Sequence, residues 1–266
     1  MKPHPVHVQV AALLREVAAT VVLPRFGALA AGEVEEKAPG DLVTIADREA
    51  EERLRAGLEP LLAGARVIGE EAVAADPSLL AGAGAGLLWL IDPIDGTGNF
   101  AAGRAPFGLM IALVEDGAPA AGWIYDPLRR RLCQAMRGQG AYVDGKRVFA
   151  RETGSPLPLA ALGARYLNAE RRADVAERSH GRLRPVDVPN CAAEQYPRVV
   201  LGANDAALFE RALPWDHAAG ALFVEEAGGR VARPDGTPYR VGDERRGLIA
   251  AASPAMWNRA ADILFG

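Results

Sequence analysis

The residues most able to do chemistry are acids placed at strand ends. Asp92 follows an unbroken apolar run, Leu87-Leu88-Trp89-Leu90-Ile91, and precedes Pro93. Proline cannot continue a hydrogen-bonded ladder, so the chain is expected to turn there. Asp95 comes three positions after Asp92, and a turn can fold both carboxylates toward one point. Like charges held that close repel, and they need a cation, a shared proton or water between them. An oxygen-only ligand set suits a hard divalent cation, Mg²⁺ with Mn²⁺ as a substitute. Glu70 ends another strand, Arg66–Ile68. If the two strands share a sheet, Glu70 meets Asp92 on one edge. Any one of these acids alone reads first as a solvated turn residue.

Behind Asp95 the chain continues Gly96-Thr97-Gly98-Asn99-Phe100. Gly96 lets the backbone swing its N–H groups outward with no Cβ in the way. Successive N–H groups at a turn opening into a helix form a cradle for phosphate. Thr97 adds a hydroxyl beside the acids. Farther along, Asp216 in Trp215-Asp216-His217 is placed as the N-cap of a helix that stops at Gly228. An N-cap aspartate can also lend an oxygen to a metal. Small residues at 218–221 let that helix approach another backbone closely. Asp47, early in a second helix, reads as a capping or surface charge. His217 either packs or touches substrate; the four histidines are not clustered as a zinc site.

These residues need a framework. The chain has 266 residues, 50% apolar and 24% charged, which excludes wholesale disorder. Its net charge is −4, so nucleic acid and anionic membranes are not expected partners. The N-terminal apolar stretch is broken by Arg15 and Glu16, and the longest apolar and glycine run, Ala81–Ile91, is too short to span a membrane. Cys133 and Cys191 read as reduced, partly buried thiols of a cytoplasmic protein. The lysines are Lys2, Lys37 and Lys146, a scarcity that reads as compositional bias.

Helical spacing predicts a helix over 6–26, a break at Gly40–Asp41, and a second helix over 45–62 capped by Thr44. Strands are expected at 66–68, 87–91, 107–115, 119–125 and 131–137, with 140–148 extending the meander. The Pro- and Gly-containing stretch 152–158 marks an internal boundary. The expected organisation is an N-terminal α+β part, 1–150, with the main metal and phosphate site. A C-terminal α/β part, 151–266, supplies Asp216 and the substrate wall. Within it the spacing predicts strand 159–163, helix 170–180, a helix over 192–212 or part of it, helix 216–227, strands 230–233 and 247–252, and a terminal helix 255–264.

Four segments together resemble the inositol monophosphatase family, within the superfamily that includes fructose-1,6-bisphosphatases. They are Asp41–Asp47 (DLVTIAD), Gly69–Glu71 (GEE), Trp89–Phe100 (WLIDPIDGTGNF) and Trp215–Gly229 (WDHAAGALFVEEAGG). The resemblance implies an αβαβα layered sandwich and Mg²⁺-dependent hydrolysis of a phosphate monoester. It implies metal ligation by Glu70, Asp92, the Ile94 carbonyl, Asp95 and Asp216. Asp95 and the amides of Gly96 and Thr97 would border the phosphate. Glu70 and Thr97, with Asp47 behind Thr97, would orient the attacking water. Lithium sensitivity and a homodimer are further family traits. Inositol monophosphate leads among substrates; histidinol phosphate, fructose 1,6-bisphosphate, NADP and 3′-phosphoadenosine phosphates stand beside it.

The departures from the family fall on the expected substrate wall. Position 98 is Gly where Thr is usual, and 217 is His where a β-branched aliphatic is usual. Inositol-cleaving members place a glutamate seven residues before the Trp-Asp aspartate; here that residue is Phe209, with Glu210 beside it. Asn190–Tyr196, which includes Ala192, replaces a Gly-Ser/Thr-Ala-Ala pattern. Two rival readings exist. An aspartyl-phosphate phosphatase needs Asp-x-Asp-x-Thr, which Asp92-x-x-Asp95 does not match. A non-catalytic metal- or phosphate-binding regulator would keep the fold and lack turnover.

Overall fold

Side-chain alternation along one strand determines which layers touch. In β4 (Leu87–Asp95), Leu88 and Leu90 pack with one cluster of buried side chains, while Trp89 and Ile91 pack with another. The run is therefore apolar because both of its faces are covered. β4 lies second in a seven-stranded sheet with β3 (Arg66–Gly69), β5 (Gly108–Glu115), β6 (Ala118–Asp126), β7 (Arg131–Met136), β8 (Gly140–Val143) and β9 (Lys146–Val148), in sequence order. β3 and β4 are parallel and the other pairs antiparallel. The computed structural model describes residues 5–30, 32–38 and 41–266; the expected break at Gly40 lies outside the described residues.

The Trp89 face is covered by α1 (Pro5–Val17) and α2 (Ile45–Leu58), through Val10, Leu14, Leu54 and Leu58. The Leu88 face is covered by α6 (Ala192–Val200) and α7 (Pro214–Glu226), through Tyr196, Ala219 and Phe223. α7 comes very close: a Cβ on Gly122 of β6 would lie 2.8 Å from Ala219 Cα, and one on Gly220 would lie 2.0 Å from the Tyr196 ring. The small residues at 218–221 permit that approach, as their sizes suggested. Behind α6 and α7 lies a five-stranded sheet in the order β11-β10-β12-β14-β13. These strands are Arg184–Val186, Leu159–Leu162, Ala206–Phe209, Leu248–Ala251 and Arg230–Ala232 in that spatial order. Its outer face packs on α8 (Pro254–Phe265) and on Val175 of α5 (Ala169–Ser179). The stack is the expected αβαβα layered sandwich.

Several elements differ from the sequence reading. β1 (Val34–Ala38) and β2 (Asp41–Thr44) pair antiparallel, short strands with no apolar alternation to reveal them. Residues 140–148 divide into β8 and β9, because Asp144 and Gly145 both take positive φ and make a tight hairpin turn. The expected helix 192–212 stops at Val200; Gly202 takes φ +76° and the chain then runs as β12. α1 tightens and loosens through Ala18–Arg25 but extends as expected. The segment Val6–Arg25 has the length and apolarity of a membrane span, contrary to the sequence reading, yet half of it is buried against the core. Both cysteines are free and buried.

Candidate active site

β4 does not end at Asp92. It continues to Asp95, and its pairing with β5 is interrupted between Asp92 and Asp95. Pro93 has no N–H to give the ladder, and the bulge absorbs it. The turn falls at Gly96, with φ +85°; a Cβ there would sit 3.0 Å from the Pro106 carbonyl. α4 (Thr97–Ala101) opens immediately after it. Parallel pairing sets Gly69 against Ile91, so Glu70, the first residue of α3 (Glu70–Ala75), lies beside Asp92 as anticipated.

Oxygens of Glu70, Asp92 and Asp216 lie within 4.8 Å of one another. Asp216 reaches them from the first turn of α7. It is not the N-cap that the sequence reading made it. That place belongs to Leu213, because Pro214 starts the helix earlier, its φ already set and its missing N–H of no consequence. Asp92 is 1% exposed, and its Oδ1 has no hydrogen-bond partner among the described residues. Burial raises its pKa well above the ordinary carboxyl range, with Glu70, Asp95 and Asp216 adding repulsion. A buried carboxyl oxygen whose lone pairs accept no hydrogen bond, set among other acids, fits a hard cation, and the oxygen-only donors suit Mg²⁺ or Mn²⁺.

Asp95 borders the same cavity with its side chain engaged elsewhere. Its Oδ2 accepts the Ala193 N–H at 2.6 Å, which ties the start of α6 to the strand end. Burial lifts the Asp95 pKa to about 6 against that hydrogen bond. The Ile94 carbonyl accepts from the Thr97 hydroxyl at 2.9 Å. That hydroxyl also lies 3.1 Å from Asp47 Oδ1. Asp47 has a second duty. Its Oδ2 accepts the Thr44 N–H at 2.8 Å, and the Thr44 hydroxyl in turn receives the N–H groups of Ala46 and Asp47. This is a complete capping box at the head of α2. Burial raises the Asp47 pKa to about 6.

The sequence reading missed Lys37. From β1 its ammonium donates to Glu70 at 2.9 Å and to Glu71 at 2.8 Å. A lysine in a chain that otherwise relies on arginine was the available signal. Glu71, despite this partner, is raised by burial to about 7.

The acids open on a cavity of about 340 Å³. Ala192, Phe209, Glu210 and His217 all line it, as does Gln195. His217 Nε2 faces the Arg211 carbonyl at 2.9 Å, and that oxygen can only accept, so Nε2 carries the proton. Nδ1 then accepts from the Tyr196 hydroxyl at 2.7 Å. Burial lowers the His217 pKa to about 4, and the ring stays neutral. Phe209 stacks on Tyr196 at 5.0 Å and meets His217 edge-on at 4.9 Å. At the mouth, the guanidinium groups of Arg165 and Arg211 lie 5.5 Å and 4.6 Å from the centre of the Tyr166 ring. No motif singled out these three residues.

The chain matches the inositol monophosphatase family model over residues 4–264. It is 33% identical over 204 residues to the inositol-1-monophosphatase of Bacillus subtilis (strain 168), covering 76% of each chain. It is 35% identical over 218 residues to the histidinol-phosphatase of Mycobacterium tuberculosis, covering 80% of this chain and 81% of that one. Among solved structures, an IMPase of Thermotoga maritima superposes with a TM-score of 0.78 at 26% identity, covering 96% of both chains. Relatives named for different substrates stand at similar distances, so kinship fixes phosphate-ester hydrolysis and leaves the ester open. The chain belongs to the inositol monophosphatase family, and it is a phosphoric monoester hydrolase.

Proposed function

We propose that this protein is a Mg²⁺-dependent phosphatase of a small polyol phosphate, with inositol monophosphate the leading substrate. The observation that carries this is the group of three acid oxygens within 4.8 Å beside the Gly96 turn. Glu70, Asp92, Asp95, Asp216 and the Ile94 carbonyl would hold the metal. Bound there, magnesium would neutralise the ester phosphate and make a water more acidic. The N–H groups of Gly96 and Thr97 hold the phosphate oxygens through the turn that Gly96 makes possible. Glu70 and the Thr97 hydroxyl orient the attacking water in line with the leaving alcohol. Asp47 fixes the hydroxyl rotor of Thr97, so the water meets an oxygen already aimed. Positioning and charge compensation carry the rate. No side chain forms a covalent phosphoenzyme.

A second substrate reading rests on Arg165 and Arg211. Two cations at the cavity mouth, braced on Tyr166, suit a leaving group that bears its own negative charge, as fructose 1,6-bisphosphate does. We further propose a cytoplasmic homodimer sensitive to lithium.

The test is phosphate release from a panel of monoesters with Mg²⁺, with and without Li⁺. Myo-inositol 1-phosphate is expected to be turned over fastest and Li⁺ to inhibit. Preference for the bisphosphate favours the second reading. No release from any ester overturns both. Single-turnover hydrolysis in ¹⁸O-water is expected to place the label in phosphate; label in an enzyme carboxylate contradicts direct water attack.

A further inference from the structure

Apart from the acids, the cavity wall carries a polar side chain with nothing to bind. Gln195 lines the cavity and is 2% exposed, yet neither its Oε1 nor its Nε2 has a hydrogen-bond partner among the described residues. Because both atoms are unmatched, exchanging the amide oxygen and nitrogen does not change the finding. A buried carboxamide left unsatisfied costs stability, so packing does not explain its presence there. The cavity lining also includes the apolar side chains Ala161, Val188, Leu208 and Phe209, which offer no hydrogen bond.

The placement is rigid. Gln195 lies in the first turn of α6, and its own N–H donates to the Cys191 carbonyl at 3.0 Å. Two residues earlier, Ala193 donates to Asp95. The amide is therefore held in register with the acids by one helical turn. Phe209 on β12 also lines the cavity and offers no hydrogen bond to the alcohol half of a substrate. Gln195 supplies on α6 what position 209 lacks on β12.

We propose that Gln195 is a specificity-determining residue: its carboxamide holds a hydroxyl of the leaving alcohol, donating from Nε2 to the hydroxyl oxygen and accepting the hydroxyl proton on Oε1. This rests on the phosphatase reading above. Unlike a glutamate, a neutral amide sets no charge against an anionic leaving group, which agrees with arginines at the mouth.

The test compares the full chain with Gln195→Leu and Gln195→Met, all with Mg²⁺. The substrates are the hydroxylated ester turned over fastest in the panel and p-nitrophenyl phosphate, which has no hydroxyl to read. The fall in kcat/KM on the hydroxylated ester is expected to exceed the fall on the aryl ester by at least about tenfold, mostly through KM. Tm is expected to hold or rise in both variants, because an unsatisfied amide is removed. Equal falls on the two esters, or no fall on either, overturn the assignment. So does an enzyme that cleaves the aryl ester and no hydroxylated one. An unsubstituted protein that releases phosphate from neither ester overturns the phosphatase reading and this assignment with it.

Discussion

The Thr97 hydroxyl lies 3.1 Å from Asp47 Oδ1, and that contact joins the head of α2 to the turn that follows β4. Asp47 therefore serves both a helix cap and the hydroxyl proposed to orient the attacking water. The two duties separate by mutation. Thr97→Val leaves the capping box intact and is expected to lower kcat by about 100-fold with little change in KM or Tm. Asp47→Ala is expected to lower kcat similarly and also to cost about 1 kcal/mol of stability through the lost cap. Kinetics paired with thermal denaturation check both; a Thr97→Val enzyme with full kcat would remove Thr97 from the water-orienting role.

Asp92 and Asp95 are expected to answer the same substitution differently. Both Asn variants should lose at least about 100-fold in turnover, since each loses a proposed ligand charge. Asp92→Asn removes a buried carboxyl whose Oδ1 has no partner among the described residues, and it should raise the Tm of metal-free protein. Asp95→Asn relieves repulsion too, but its carboxylate grips Ala193 and gives up a charge-assisted hydrogen bond, so Tm should stay level or fall. Thermal scans in EDTA distinguish the two; a rise for Asp95→Asn equal to that for Asp92→Asn would contradict the anchoring role.

The metal-free protein should lose stability as pH rises from 5 to 8. Asp47 and Asp95 are raised to about 6, Glu71 to about 7, and Asp92 well above its ordinary value, chiefly by burial. The folded chain then keeps protons that the unfolded chain has released above its ordinary carboxyl pKa. That stability is complete below the unfolded values and is lost through the folded ones. His217, lowered to about 4, works the other way, costing stability as pH falls from 6.5 toward 4. One histidine is set against several acids, and the acids prevail. A Tm in EDTA that climbs between pH 5 and 8 would refute this balance. Added Mg²⁺ should flatten the slope.

His217→Val should destabilise the fold by about 1–3 kcal/mol, because it strands the buried Tyr196 hydroxyl and frees the Arg211 carbonyl. Tyr196→Phe in the same chain should recover part of that loss. A double-mutant cycle measures the coupling. Additive effects would mean that the pair is not a unit. The single variant should also raise KM for a bisphosphate more than for a monophosphate, because the 210–213 segment carrying Arg211 loses its tether.

The core of the fold was legible because the chemistry is local to it. The run 87–91 announced a strand covered on both faces, and Gly228 announced the stop of α7. Glu70 beside Asp92 followed from two strand ends on one sheet. What escaped lay where polar residues or single glycines decide the outcome. β1 and β2 have no apolar alternation, so Lys37 stayed hidden with them. The helix expected over 192–212 or part of it occupies Ala192–Val200, and its end is hard to read because Ala206–Phe209 alternates faces between two apolar layers and so resembles a buried helix in sequence. Asp216 looks like an N-cap in sequence, but Pro214 starts the helix two residues before it. Gln195, Arg165, Tyr166 and Arg211 depend on tertiary approach across the cavity, and no spacing in the chain encodes that.

α7 belongs to the later part of the chain yet packs on the earlier sheet, through Gly122 and Ala219. A ribosome that has made only the first two hundred residues has built Glu70 and Asp92 but not their third companion. The three acids are complete only once Asp216, in the first turn of α7, has been made, while β13 and β14 of the second sheet are still to come.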